Sequence, residues 1–149
     1  MNRQLMKDTM QMLEQELPPL AGIHITAGSD ERYLSDMART LDAYDMTAQE
    51  RRVLLGCYWL LRQAMRTHHH VPQDERLAGK AVLDGDFLLS LYYQFAARHG
   101  LTELIADMAT VNKRIQIRRA EGKGTESELH RQMTRFLMKR YKQVAYEVI

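Results

Sequence analysis

The groups in this chain most suited to chemistry are carboxylates and imidazoles gathered in one short region. Asp84, Gly85 and Asp86 lie within KAVLDGDFLLSLYYQF (80–95), with His68, His69 and His70 just upstream and Asp74 and Glu75 between them. Both side-chain types bind divalent cations, so a metal centre is the first reading to weigh. On a helix, however, successive residues point about 100° apart and residues i and i+2 about 200° apart. Neither the histidine triplet nor the aspartate pair would then converge on one ion. In a loop two of the histidines could meet, yet no Cys/His pair stands nearby at ligand spacing. The local reading is simpler. Asp84 caps a helix start, Asp86 sits in the first turn facing the positive end of the helix dipole, and Gly85 admits another part of the chain.

Nucleophilic catalysis has no footing. Cys57, the single cysteine, lies in the apolar run VLLGCYWLL (53–61), and no serine sits in a nucleophile elbow beside a base. Phosphate-binding loops and dinucleotide fingerprints are absent. His24, His99 and His130 read as ordinary surface or cap residues.

The elements that must position these groups are helical. The 149 residues suit one domain spanning 1–149, large enough to bury roughly 68–70% of the unfolded chain's surface. Leu5, Met6, Met10, Leu13 and Leu17 recur at helical spacing until Pro18-Pro19. Gly28-Ser29 caps a second helix, with Tyr33, Leu34, Met37, Ala38 and Leu41 on one face. Thr47 and Glu50 form a capping box for a third, running to about Thr67. Its run 53–61 is apolar nearly all round, which predicts a buried central helix holding Trp59. A loop over 68–80 precedes a fourth helix, which ends near His99 at Gly100. Leu104, Ile105, Met108, Val111 and Ile115 mark a fifth, broken by Gly122 and Gly124. Thr125 and Glu128 make a second capping box for a sixth, carrying Leu129, Met133, Phe136, Leu137, Tyr141 and Val144. No strand pattern appears, so the expected fold is an all-α bundle of about six helices.

The longest apolar run is nine residues, against about 20 needed to span a membrane. The first residues, MNRQLMKDTMQMLEQEL, lack an apolar core and carry acidic side chains, unlike a signal or transit peptide. One buried thiol fits a reducing, cytoplasmic setting. Charge is uneven: residues 1–110 hold 11 Lys+Arg and 15 Asp+Glu, residues 111–149 hold 10 and 4. That basic end is either a solvated helix face or a surface for nucleic acid. No aromatic residue lies between 111 and 135 to stack on bases, so nucleic acid is the weaker reading.

AVLDGDFLLSLYYQ resembles the A-V-L-x-G-D-[YF]-L segment of trans-polyprenyl diphosphate synthases, with Ala81, Val82, Leu83, Gly85, Asp86, Phe87 and Leu88 in matching places. In those enzymes the preceding helix carries the first of two aspartate-rich motifs, DDxxD. These gather the magnesium ions that bind the allylic diphosphate. Here that helix reads LLGCYWLLRQAMRTHHH, without an aspartate, and neither the following arginine pair nor a second motif is present. The combination is similar to the small subunit (component 1) of bacterial two-component heptaprenyl and hexaprenyl diphosphate synthases. The likeness covers mainly 81–119 and includes Asn112 and Arg118 in TVNKRIQIR, where Lys113 and Ile115 depart from the family's I-N-E-x-K-like run.

The resemblance implies a fold like a truncated isoprenoid synthase and a non-catalytic subunit. Its catalytic large partner would hold Mg2+ and most of the isoprenoid diphosphate substrate, and this chain would carry no cofactor. It implies that the matched helix lies at the subunit interface and helps set product length, in menaquinone side-chain synthesis. Asp86, Phe87, Leu88, Leu89, Leu91, Tyr92 and Tyr93 are the expected interface or product-tunnel wall. For each, membership of the internal core is the competing reading. An isolated chain could instead pair with itself.

Overall fold

The structure is a computed structural model describing residues 2–124 and 127–144. Six helices follow in chain order: α1 Asn2–Glu16, α2 Glu31–Leu41, α3 Ala48–His69, α4 Glu75–Arg98, α5 Thr102–Ala120 and α6 Glu128–Arg140. No strand occurs among the described residues, so the chain is an all-α bundle.

Helix α3 is the axis. Every residue from Val53 to Leu61 is buried, and α1, α2 and α4 pack around it. A run apolar on all sides has to be enclosed on all sides, because each exposed large side chain would forgo about 1.5–3 kcal/mol of burial. Its start is the predicted capping box. Glu50 N–H donates to Thr47 Oγ1 at 3.0 Å, and Thr47 N–H donates to Glu50 Oε1 at 3.2 Å. The far side of the bundle is closed by α5, which packs on α6 and α4.

Between α1 and α2 the chain runs without a helix until a 3₁₀ turn at Gly28–Asp30. Side chains of α3 strap this segment down. Gln63 donates to His24 O at 2.8 Å and accepts from Thr26 N–H at 3.0 Å, while Trp59 Nε1–H donates to Thr26 O at 3.0 Å. Asp30 makes no capping bond for α2. Its carboxylate is buried against Arg62 (2.9 Å) and Arg66 (2.6 Å), a long-range tie in place of the local cap expected at Gly28-Ser29.

Two predicted glycine stops are built as expected. Gly100 (φ 72°) and Gly122 (φ 74°) adopt left-handed backbone that a side chain would strain. Past Gly100, Leu101 N–H reaches back to Ala96 O at 2.8 Å; past Gly122, Lys123 N–H reaches Arg118 O at 2.9 Å. These bonds satisfy carbonyls that the helix ends leave open.

Two boundaries differ from expectation. Helix α4 begins at Glu75 rather than near Lys80, capped by Asp74, whose Oδ1 accepts from Arg76 N–H (3.0 Å) and Leu77 N–H (3.2 Å). Asp84 and Asp86 are therefore mid-helix residues, not a cap and first turn. Helix α6 stops at Arg140. Tyr141 is extended, and Gln143 forms an isolated antiparallel bridge with Tyr44, flanked by Asp45 N–H to Lys142 O at 2.7 Å and Val144 N–H to Ala43 O at 2.9 Å. Finally, Thr125 of the second predicted capping box lies outside the described residues. Glu128 turns to Arg114 (3.4 Å) and Arg118 (3.6 Å) on α5.

Candidate functional site

The segment resembling the synthases lies on α4, and the helix divides it into two stripes. The inward stripe is Gly85, Leu88, Leu91, Tyr92, Phe95 and Ala96, all buried. Facing outward are Val82, Leu83, Asp86, Phe87, Ser90 and Tyr93. Here Leu83 is 69% exposed, Val82 43%, Tyr93 39% and Phe87 36%. Residues 81–97 contain no lysine, arginine or glutamate. A helix face meant for water normally carries such charges, as α6 does with Arg131, Arg135 and Lys139.

The residues expected at an interface or tunnel wall are thus not brought to one surface. Asp86, Phe87 and Tyr93 lie on the outer stripe, and Leu89 is half-buried at its edge. Leu88, Leu91 and Tyr92 point into the core of this chain. Val82 and Leu83, which the resemblance matches without placing at the interface, join the outer stripe. Their spacing held the signal: Leu83 is one helical turn before Phe87, on the same side.

The Gly-Asp pair has a mechanical role. A Cβ at Gly85 would overlap the imidazole of His68, which comes across from the end of α3. His68 Nε2 lies 3.0 Å from Asp86 Oδ1 and 3.3 Å from Val82 O. Both partners are acceptors, so Nε2 carries the hydrogen. Glycine makes the slot, histidine fills it, and aspartate holds the histidine. Asp84 pairs instead along its own helix with Lys80 at 2.5 Å.

Deeper in, burial pushes the Cys57 thiol far above its ordinary range. It stays protonated and is a poor nucleophile. The Tyr92 hydroxyl is raised first by burial, then by Cys57 and Tyr93. It has no hydrogen-bond partner among the described residues. The histidine triplet is split: His68 turns toward α4, whereas the rings of His69 and His70 meet edge to face at 4.9 Å. No group of three or more His, Cys, Asp or Glu is placed to hold a metal ion among the described residues. The end of α3 offers Arg62, Arg66 and histidines, a donor set that does not fit a hard dication such as Mg2+.

On the basic C-terminal side, several cations already have partners. Lys139 is held by Asp107 (2.8 Å) and Glu103 (3.3 Å), Arg114 and Arg118 by Glu128, and Lys123 by Glu121 (3.0 Å). Within the run likened to the synthases, Ile115 is buried and Lys113 exposed. Asn112 leaves a buried Oδ1 without a partner among the described residues. His130 is half-buried, edge-on to Tyr58 at 6.5 Å, rather than a surface residue. No helix among the described residues is long and apolar enough to cross a membrane.

Comparison with known proteins adds nothing to this site: no family model, no curated protein and no solved structure matches the chain.

Proposed function

We propose that this chain is the non-catalytic small subunit of a heterodimeric long-chain trans-polyprenyl diphosphate synthase, docking on its catalytic partner through the outer stripe of α4. The observation that carries the reading is that stripe. The helix bearing the synthase-like AVLDGDFL sequence leaves Val82, Leu83, Phe87 and Tyr93 exposed with no cation among them. Exposed apolar side chains on a face without cations gain burial when a partner covers them, about 25 cal/mol for each Å² removed from water.

In this reading the partner performs the chemistry. It supplies the carboxylates and Mg2+ that stabilise the departing diphosphate, since α3 of this chain supplies cations instead. The small subunit acts by shape. A growing prenyl chain gains buried apolar area with each unit until a side chain blocks its path, and Phe87, Leu83 and Tyr93 are the bulky groups on the docking side. Menaquinone side-chain synthesis in the cytoplasm is the setting that the resemblance suggests.

The test is co-purification of this chain with a catalytic subunit encoded in the same genome, followed by an isopentenyl-transfer assay with product-length analysis. The expected result is activity that requires both chains. Polyprenyl diphosphate made by this chain alone, or no change when it is added to the large subunit, defeats the proposal. So does a tight homodimer that excludes the partner, measured by sedimentation.

A further inference from the structure

Helices α5 and α6 pack along one another, and a small cleft of about 80 Å³ opens on their seam. It is lined by Val111 and Arg114 from α5 and by Glu128, Arg131, Gln132 and Arg135 from α6. A second, shallower depression adjoins it, sharing Gln132 and Arg135 and adding Met138 and Lys139. We infer that this seam binds a small organic phosphate monoester, its phosphate clamped by Arg114, Arg131 and Arg135 and its organic part lying over Met138.

Both helices and the turn between them, residues 102–140, hold 9 Lys+Arg and 5 Asp+Glu. Most of the acids are already engaged. Glu103 and Asp107 hold Lys139, and Glu121 holds Lys123. Glu128 is shared by Arg114 (3.4 Å) and Arg118 (3.6 Å). Arg131 donates to a neutral group, Ser127 Oγ, at 3.2 Å. Arg135 has no carboxylate or other hydrogen-bond acceptor among the described residues. The cleft thus gathers three guanidiniums around one carboxylate, and a fourth, Arg118, shares that carboxylate from behind. Counting in Glu126, which lies outside the described residues, still leaves four guanidiniums to two carboxylates.

Solvation alone would account for Arg131 or Arg135 taken singly. It does not call for three at one concavity. Arg131 and Arg135 stand one helical turn apart, where like charges work against the helix, and Arg114 adds a third from across the seam. An anion relieves that repulsion. Phosphate fits it best, because a guanidinium presents two parallel N–H donors to two phosphate oxygens. Arg114 spends Nη1 on Glu128 and Arg131 spends Nη2 on Ser127, so each keeps further donors, and the Gln132 amide stands beside them. The cleft has room for about two to three waters at about 30 Å³ each, which suits one phosphate group rather than a diphosphate.

The adjoining depression supplies contact for the rest of the ligand. Met138 is 63% exposed there, a flexible thioether that adapts to varied apolar shapes. A nucleic-acid strand would instead need a track of phosphate contacts. The next cation along α6, Lys139, is already bound to Asp107 and Glu103, so the track is interrupted after Arg135. No residue of the outer α4 stripe takes part, and the inference is independent of the docking reading.

The test is calorimetric titration of the full chain with phenyl phosphate and with inorganic phosphate at physiological salt. We expect one site per chain and severalfold tighter binding of phenyl phosphate. Arg131→Gln/Arg135→Gln should weaken both ligands at least tenfold with the melting curve unchanged, since neither side chain holds a carboxylate among the described residues. Met138→Ala should remove the preference for phenyl phosphate and leave inorganic phosphate within twofold. A control pair outside both linings, Lys7→Gln/Arg76→Gln, should leave both ligands within twofold. If the double variant melts early, Arg135→Gln alone should still weaken binding severalfold. Absence of binding at millimolar phenyl phosphate overturns the proposal. So does equal weakening by the control pair, or a preference for phenyl phosphate that Met138→Ala does not move. A short DNA single strand that displaces phenyl phosphate, and is weakened as much by Lys113→Gln as by Arg135→Gln, would assign this surface to nucleic acid and overturn it too.

Discussion

The two stripes of α4 are alike in composition and opposite in circumstance. Leu88, Leu91, Tyr92 and Phe95 are sealed inside the bundle; Val82, Leu83, Phe87 and Tyr93, on the other side of the same turns, meet water. Read as a string, the segment is simply apolar nearly all round. Folded, it separates residues that hold this chain together from residues available to hold it to something else. Of the two tyrosines expected at a wall, Tyr92 belongs to the core and Tyr93 to the outer stripe, and Leu83, outside the expected wall, is the most exposed large residue of that stripe.

Substitutions can break that contrast, and the largest effect belongs to the inner stripe. Tyr92→Ala should destabilise the isolated chain by about 3–5 kcal/mol, read as a lower denaturation midpoint, because it empties a fully enclosed site. Tyr92→Phe, which removes a buried hydroxyl lacking a partner among the described residues, should cost little or nothing. Equal losses from the two changes would show that the hydroxyl, not the ring volume, matters.

On the outer stripe the order should invert. Leu83→Ala and Phe87→Ala should change stability by no more than about 0.5 kcal/mol. Each should weaken assembly with a catalytic subunit by about tenfold, measured by titration calorimetry or surface resonance. A variant pair that melts early yet binds normally would return these residues to the core.

Gly85 joins the stripes to α3, and its prediction is a change of sign. In the native background Gly85→Ala should destabilise by about 1 kcal/mol, because the displaced His68 ring costs more than alanine's helical preference returns. In a His68→Ala background the slot is empty, and the same change should stabilise by about 1 kcal/mol. Denaturant titration of the four proteins closes the cycle. The smallest effect is expected at Asp84→Asn, about 0.3–0.5 kcal/mol from the lost pair with Lys80 and absent at high salt. A larger loss would mean that Asp84 does more than brace its own helix.

How far the sequence could be read depended on the range of each interaction. The Thr47–Glu50 box, the stops at Pro18-Pro19, Gly100 and Gly122, and the enclosure of 53–61 all follow from chemistry within a few residues, and each is present. The start of α4 was missed because its first turns are exposed and lack apolar periodicity. Only the Asp74 cap announces it. Asp30 was hidden for the opposite reason: its partners Arg62 and Arg66 are 32 and 36 residues away. The same holds for His68, which finds Asp86 across 18 residues, and for Gln143, which leaves the helical pattern to bridge Tyr44. The outer stripe was half legible. Helical phase places Leu83, Phe87 and Tyr93 within one arc, but which arc faces outward is decided by where α3 lies.

Trp59 gives the protein a built-in optical gauge. It is the single tryptophan of the chain, it is almost wholly buried, and its indole hydrogen is anchored on the carbonyl of Thr26. Lifting the 18–27 strap away from α3 would wet the ring and shift its emission to longer wavelength, with no label attached. The loosening of that segment can then be timed separately from the melting of the helices, which circular dichroism follows.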